Sequence, residues 1–295
     1  MHRRPLLVVW LVAAILCGGA VRPAVAQSTT YVGSFQLSNG DYIFADRTTS
    51  FYLVNGLEIV AGPVSLSGTV PVIGQSTPWV TYGPIPVPSG GAQGGEVARQ
   101  VGERLGGGSQ GSGQGQGSGR MVVTLPVPQE GVSYSTGIGD PLVRADVAVG
   151  SRLGSRTTLR LNASAKIPIA NPESGFGTGA WDYGAGISLA TGVRRANVFV
   201  DVSYWEFGDL PDLALKGAVA YGVAYGQVLG AGRWSVLTSL SGWTPIVDGA
   251  DPPVQLGIGV SRLVRFDRSV ALSVGVGVTE TAPDISVALG WRVGL

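Results

Sequence analysis

Along much of this chain apolar and polar residues alternate one by one, and a period of two marks a strand with two unlike faces. Thr157 to Ile169 is the clearest run. Its odd positions hold Thr157, Leu159, Leu161, Ala163, Ala165, Ile167 and Ile169, while its even positions include Thr158, Arg160, Asn162, Ser164 and Lys166. Trp181, Tyr183, Ala185, Ile187 and Leu189 alternate in the same way with Asp182, Gly184, Gly186, Ser188 and Ala190. Val64 to Val72, Val270 to Val278 and Ile285 to Leu295 repeat the pattern. On these five segments the apolar face carries no charge.

A soluble β-sandwich also alternates, with its apolar face turned inward. Composition separates the two cases. Charged residues make up 13% of the 295 positions, about half the ~25% of an ordinary soluble domain. Mean hydropathy is +0.28. The polar face is mostly Gly, Ala and Ser, and glycine alone accounts for 47 residues. The Lys and Glu of a water-facing exterior are missing. A membrane barrel inverts the arrangement, with apolar residues toward lipid and polar ones toward the lumen. Disorder does not fit, because disordered chains are polar and highly charged. A helical membrane protein needs runs of ~20 apolar residues, and the only long apolar run, Leu6 to Cys17, is too short. The chain reads as all-β, a transmembrane up-and-down antiparallel β-barrel.

From Leu142 onwards nine strands are expected, near 142–152, 155–168, 180–191, 195–206, 213–228, 233–244, 253–263, 268–279 and 284–295. Three more are expected near 30–40, 48–59 and 62–73. Each is long enough for the ~9–11 residues that a tilted strand needs to cross. The total is about twelve, an even count as bacterial single-chain barrels require, with ten or fourteen also compatible. Short connections at Gly150–Ser155, Gly192–Arg195, Gly230–Arg233 and Val264–Arg268 are assigned to the periplasm. The longer ones between them are assigned to the outside. Trp181, Tyr204 and Trp243 then fall at outer strand ends, and Trp234 and Trp291 at inner ends, where aromatic girdles belong. Pro86 to Arg120 is dominated by Gly, Ser and Gln. It cannot bury enough apolar area to offset its entropy, so a flexible extracellular loop is expected there. Such a loop either hangs outside or folds into the lumen.

The first 26 residues read as an export signal. His2, Arg3 and Arg4 precede the apolar stretch, and Ala24-Val25-Ala26 forms an A-x-A cleavage site, so Gln27 is expected to start the mature chain. Residues 27–295 then form a single barrel domain. Leu16 before Cys17 departs from a lipobox, which wants a small residue there. Cleavage removes the only cysteine and the only histidine. It also removes three arginines, leaving 17 basic and 19 acidic side chains and a net charge of −2. Disulfide chemistry and any Ser-His-Asp triad are thereby excluded, and nothing points to nucleic acid. The glycine clusters Gly175–Gly179 and Gly257–Gly259 lack the spacing and the following Lys-Ser/Thr of phosphate loops. No cofactor or metal and no catalytic residue is expected.

The polar face carries the functional argument. Arg144, Asp146, Arg160, Asn162, Lys166, Asp182 and Asp201 are all expected to project into the lumen. Charges lining a channel set its field and its solute preference. They can equally pair across strands and only stabilise the barrel, Arg160 with Asp146 or Asp182 for instance. The remaining lumen positions are mostly small, which leaves space for a pore. A twelve-strand barrel is narrower than the 16–18-stranded porins, so only small solutes should pass.

Three motifs stand out between Tyr134 and Leu189: Gly137-Ile138-Gly139-Asp140-Pro141, Lys166-Ile167-Pro168, and Gly177-Thr178-Gly179-Ala180-Trp181-Asp182-Tyr183. Val70-Pro71-Val72 and Ser76-Thr77-Pro78-Trp79-Val80 lie upstream. This pattern resembles the MetA-pathway phenol-degradation family of outer-membrane transporters. The resemblance implies an outer-membrane barrel that moves small, often hydrophobic, compounds, and it supplies no catalytic residues. The Gly/Ser/Gln segment and the terminal Leu295, where such barrels typically end in Phe or Trp, depart from the pattern. The expected partners are the outer-membrane bilayer, the barrel-assembly machinery and a small solute. Passive passage of that solute, hydrophobic or aromatic compounds included, is the first functional reading. A structural or surface-interaction barrel with a blocked lumen is the second.

Overall fold

The computed structural model describes residues 27–42, 47–77, 81–82, 88–89, 133–149, 156–170, 172, 175–194, 196–208, 215–229 and 232–295. The leader with its cleavage point between Ala26 and Gln27, and nearly all of the 86–120 segment, lie outside these residues.

The strands are β1 (Gln27–Gly40), β2 (Thr48–Ala61), β3 (Val64–Gln75), β4 (Thr81–Tyr82), β5 (Pro88–Ser89), β6 (Ser135–Ile138), β7 (Leu142–Ala148) and β8 (Thr157–Lys166). They continue with β9 (Asp182–Val193), β10 (Ala196–Glu206), β11 (Ala218–Leu229), β12 (Trp234–Trp243), β13 (Val254–Arg265), β14 (Arg268–Gly277) and β15 (Ile285–Gly294). The short β4–β5 ribbon pairs only with itself. All the others form one antiparallel sheet in chain order, and β1 pairs with β15 from Thr30↔Gly294 to Asn39↔Ile285, which closes it. β6 and β7 lie end to end along β3. They are one barrel strand interrupted at Gly139-Asp140-Pro141, so the closed wall has twelve strand positions.

The departures from the expected strands have local causes. Pro141 fixes its φ and has no N–H to give the ladder, so the strand expected from Leu142 gains a separate upper piece, β6, beyond the break. Pro168 does the same after Lys166, and β8 ends there rather than at 168. β11 begins at Ala218 rather than 213, and β7 ends at Ala148 rather than 152. One of the two-residue connections joins the paired residues Ala61 and Val64. Gly62 inside it has φ +59°, a left-handed conformation that costs glycine little.

Directly paired residues share a face, so one parity can be followed around the wall. Asp146, Asn162, Gly186, Ser203, Ala220 and Trp243 form one such row, each paired with the next. The opposite parity carries the exposed Leu57, Leu66, Val70, Ile187, Val202, Val223, Leu240, Leu256, Ile258, Leu272 and Leu289. That parity is the outer face, a belt of apolar side chains that lipid accepts and water does not. The row with Asp146 and Trp243 faces the lumen. Trp243 is thereby corrected: it belongs to the interior, whereas Trp181, Tyr204 and Trp234 stay exposed.

Several glycines exist to receive an aromatic ring from the partner strand. A Cβ on Gly33 would overlap the indole of Trp291, one on Gly74 the ring of Phe51, and one on Gly184 the indole of Trp205. Each of these is a directly paired couple in the ladder. The ring covers the bare backbone and so fixes register as well as area. Gly74→Val should therefore push Phe51 off the wall and destabilise the barrel by ~1–3 kcal/mol. A lower urea midpoint for the variant, measured in detergent beside the parent, checks it.

Candidate functional site

The long connections gather at one rim, and there the lumen is filled rather than open. Tyr52, Val54, Ile73, Trp205 and Ala218 point inward from the wall, and Phe176, Phe207 and Ile246 join them from the loops to make one buried apolar cluster. Trp243 packs on its edge, with its ring centroid 6.3 Å from that of Trp205 and 5.5 Å from that of Phe207. Tilted rings at these distances suit the quadrupoles of the aromatic faces.

Beside this cluster the three sequence motifs meet. Lys166 ends β8 directly opposite Asp182, the first residue of β9. The ammonium lies 2.6 Å from Asp182 Oδ2 and 3.8 Å from Asp140 Oδ2, and donates to the Thr178 hydroxyl. Asp140 Oδ1 accepts the backbone N–H groups of Ile169 and Ala170, both at 2.9 Å, and Oδ2 accepts that of Thr178 at 3.3 Å. Asp182 Oδ1 accepts the Gly208 N–H at 2.9 Å. All three charged side chains are at least 96% buried. One cation faces two carboxylates, and four backbone N–H groups carry the excess negative charge, as charge-assisted hydrogen bonds can. The motif glycines make the room. A Cβ on Gly177 would sit 2.8 Å from Asp140 Oδ2, and one on Gly139 2.5 Å from the Ile73 side chain.

The residues expected in the lumen therefore differ among themselves. All seven lie on the inward parity. Lys166 and Asp182 are sealed in the mouth. Asn162 is buried and donates to Ser188 Oγ at 3.3 Å. Arg144 grips Asp146 through Nε and Nη2 at 2.8–3.1 Å. The expected pairing of Arg160 with Asp146 or Asp182 is thus corrected, since both acids are taken by nearer cations, one two residues along the same strand and one directly across. Among the described residues Arg160 and Asp201 make no ion pair. Both are paired with Ser188 across β9, on opposite sides, which sets their backbones ~10 Å apart by strand spacing.

Sequence reasoning named Asp140 and Thr178 only within motifs, without a role, and passed over Trp205 and Phe176 as site residues. Asp140 had a signal, an acid wedged between Gly139 and Pro141. Such an acid cannot sit in a regular ladder and so has a side chain free for loop amides. Trp205 and Phe176 had none, because an inward aromatic looks like an outward one until register is known.

Away from the mouth the inward face is made of small residues. β11 contributes Ala220, Gly222, Ala224 and Gly226, paired with Trp243, Ser241, Ser239 and Leu237 of β12. Gly257 and Gly259 of β13 and Ser273 and Gly275 of β14 continue the wall. No ionisable side chain occurs on the inward positions 218–228, 235–243, 255–263 and 269–277. Among the described residues no cluster of His, Cys, Asp and Glu is placed to hold a metal ion.

No family model matches the sequence, and a search of curated proteins finds no match. The fold has counterparts among solved structures. It is similar to the COG4313 outer membrane channel from Pseudomonas putida F1, with a TM-score of 0.59 and 10% identity over 94% of this chain and 98% of that one. This is a likeness of fold, a closed outer-membrane barrel. The NanC porin aligns with a TM-score of 0.47 and 9% identity over 90% of this chain and 100% of that one. The CymD monoaromatic hydrocarbon channel aligns with a TM-score of 0.42 and 10% identity over 92% and 89%.

Removing the cation from the mouth leaves two buried carboxylates without their partner. Lys166→Met is expected to cost ~3–5 kcal/mol, the usual penalty for breaking a buried ion pair on one side. Lys166→Met combined with Asp182→Asn should recover most of that loss. Urea unfolding of the refolded single and double variants reads both.

Proposed function

We propose that this chain is an outer-membrane channel through which small solutes pass passively, with no catalytic role. The observation that carries this reading is the inward face of β11 to β14, which is built from Gly, Ala and Ser around space rather than from bulky side chains around a core. Lumen residues of that size leave a path, and a twelve-strand wall limits it to small molecules. The free charges of Arg160 and Asp201 give the path its field. The motif likeness to the MetA-pathway phenol-degradation family supports a small, hydrophobic or aromatic, solute. In this reading the leader is removed after Ala26, the assembly machinery inserts the barrel, and the long connections face outside.

A second reading has one specific observation in its favour. The aromatic cluster and the Lys166–Asp182 knot fill the long-loop rim, as a structural or surface-interaction barrel with a blocked lumen would require.

Planar-bilayer recording of the refolded chain separates the two. Reproducible conductance steps are expected, and a folded barrel that stays silent supports the blocked form. Arg160→Glu should shift the cation-to-anion permeability ratio upward by about fivefold, the combined effect on cation and anion of a two-unit charge change ~8 Å from the ion path in water screened by ~0.1 M salt. Asp201→Lys should shift it the other way. Reversal potentials in a salt gradient measure both, and an unchanged ratio would take Arg160 out of the ion path.

A further inference from the structure

The neutral wall contains a cavity with a built interior. Its volume is about 410 Å³, within the range of small-molecule sites. Trp243 forms its upper end, held from behind by Trp205 and Phe207. Ser239, Ser241, Ser273, Gln36 and Gln255 line its sides. Gln255 Nε2 donates to Ser286 Oγ at 2.7 Å, which leaves the amide oxygen to accept. Ser239, Ser241, Ser273 and Gln36 make no side-chain hydrogen bond to another described residue. The cavity therefore offers an aromatic ring, a set of uncommitted hydroxyl and amide groups, and no charge.

We propose that this cavity is a binding subsite for a small uncharged ring bearing hydroxyl groups. The proposal deepens the channel reading and rests on it for its place on a solute path. The apolar face of such a ring packs on the Trp243 indole. Its hydroxyls replace water on the serines and glutamines, so that little hydrogen bonding is lost on entry. An ionised solute would shed hydration here without meeting a counter-charge, which is costly. The charged side chains stand on β7 to β10, outside the lining, with Asp201 of β10 paired to Gly222 of β11, and the inward Arg292 of β15 is held by Glu58. A sugar ring and a hydroxylated aromatic ring share this chemistry, and direct binding tells them apart.

The test is a titration of the refolded barrel, Gln27 to Leu295, with glucose, phenol, glucuronate and benzoate, followed by saturation-transfer NMR. At least one neutral ring should bind saturably, with its charged counterpart at least tenfold weaker. Binding of glucose alone marks a sugar site, and binding of phenol alone an aromatic one. Trp243→Ala should weaken the bound ring about tenfold, while Trp243→Phe retains most of the affinity. Should Trp243→Ala not fold, Ser239→Val with Ser241→Val serves instead. Those hydroxyls hold nothing else, and their loss should also weaken binding. Absence of saturable binding to the folded parent, or equal binding of charged and neutral rings, overturns the proposal. Conductance recorded on the same preparation keeps the two readings apart. Steps without binding overturn the subsite and leave the channel, whereas binding without steps leaves the subsite and overturns the channel.

Discussion

Everything in this fold depends on the ladder between β1 and β15. A membrane interior offers no water to an unpaired N–H or C=O, so a sheet can cross it only when its two edges are joined. The ten paired positions from Thr30↔Gly294 to Asn39↔Ile285 make that join. Once the wall is closed, the strand period divides every side chain between lipid and lumen. The apolar belt and the small-residue interior are then two consequences of one constraint.

The same constraint explains the mouth. At Gly139-Asp140-Pro141 the ladder is broken, because proline cannot donate. The neighbouring strand β8 stops at Lys166, and the amides of Ile169, Ala170 and Thr178 lie outside regular pairing. The Asp140 carboxylate accepts all three. Lys166 then offsets the charge of Asp140 and Asp182. A break in the wall is thus repaired by a side chain, and the repair needs glycines at positions 137, 139 and 177, where a Cβ would collide with Phe176, Ile73 and Asp140 respectively. The motifs are the parts of one joint.

The lumen that results has two unlike walls. Charges lie on β7 to β10, many of them engaged locally, as Arg144 is with Asp146. The wall from β11 to β14 has none on its inward positions. Pairs such as Arg144–Asp146 and Lys166–Asp182 engage side chains of the first wall with one another. The second is held by backbone pairing, and its Ser239, Ser241 and Ser273 hydroxyls make no side-chain hydrogen bond to another described residue.

The alternation and the scarcity of charge determined the class of fold, the approximate strand ends and which residues of a strand share a face. These follow from the local pleat and need no knowledge of neighbours. Thr157 to Lys166 lies as a strand with Arg160, Asn162 and Lys166 inward for that reason alone. Tertiary structure decided which inward groups are free. Lys166 and Arg160 stand on one strand and one face, yet the first is sealed and the second is not, because loop residues distant in sequence close over the rim and not over the middle of the wall. It also decided that Trp243 turns inward while Trp234 turns to lipid. Trp234 and Trp243 are nine positions apart, an odd number, so they must face opposite ways. Only the register against Ala220 says which of them meets the lumen.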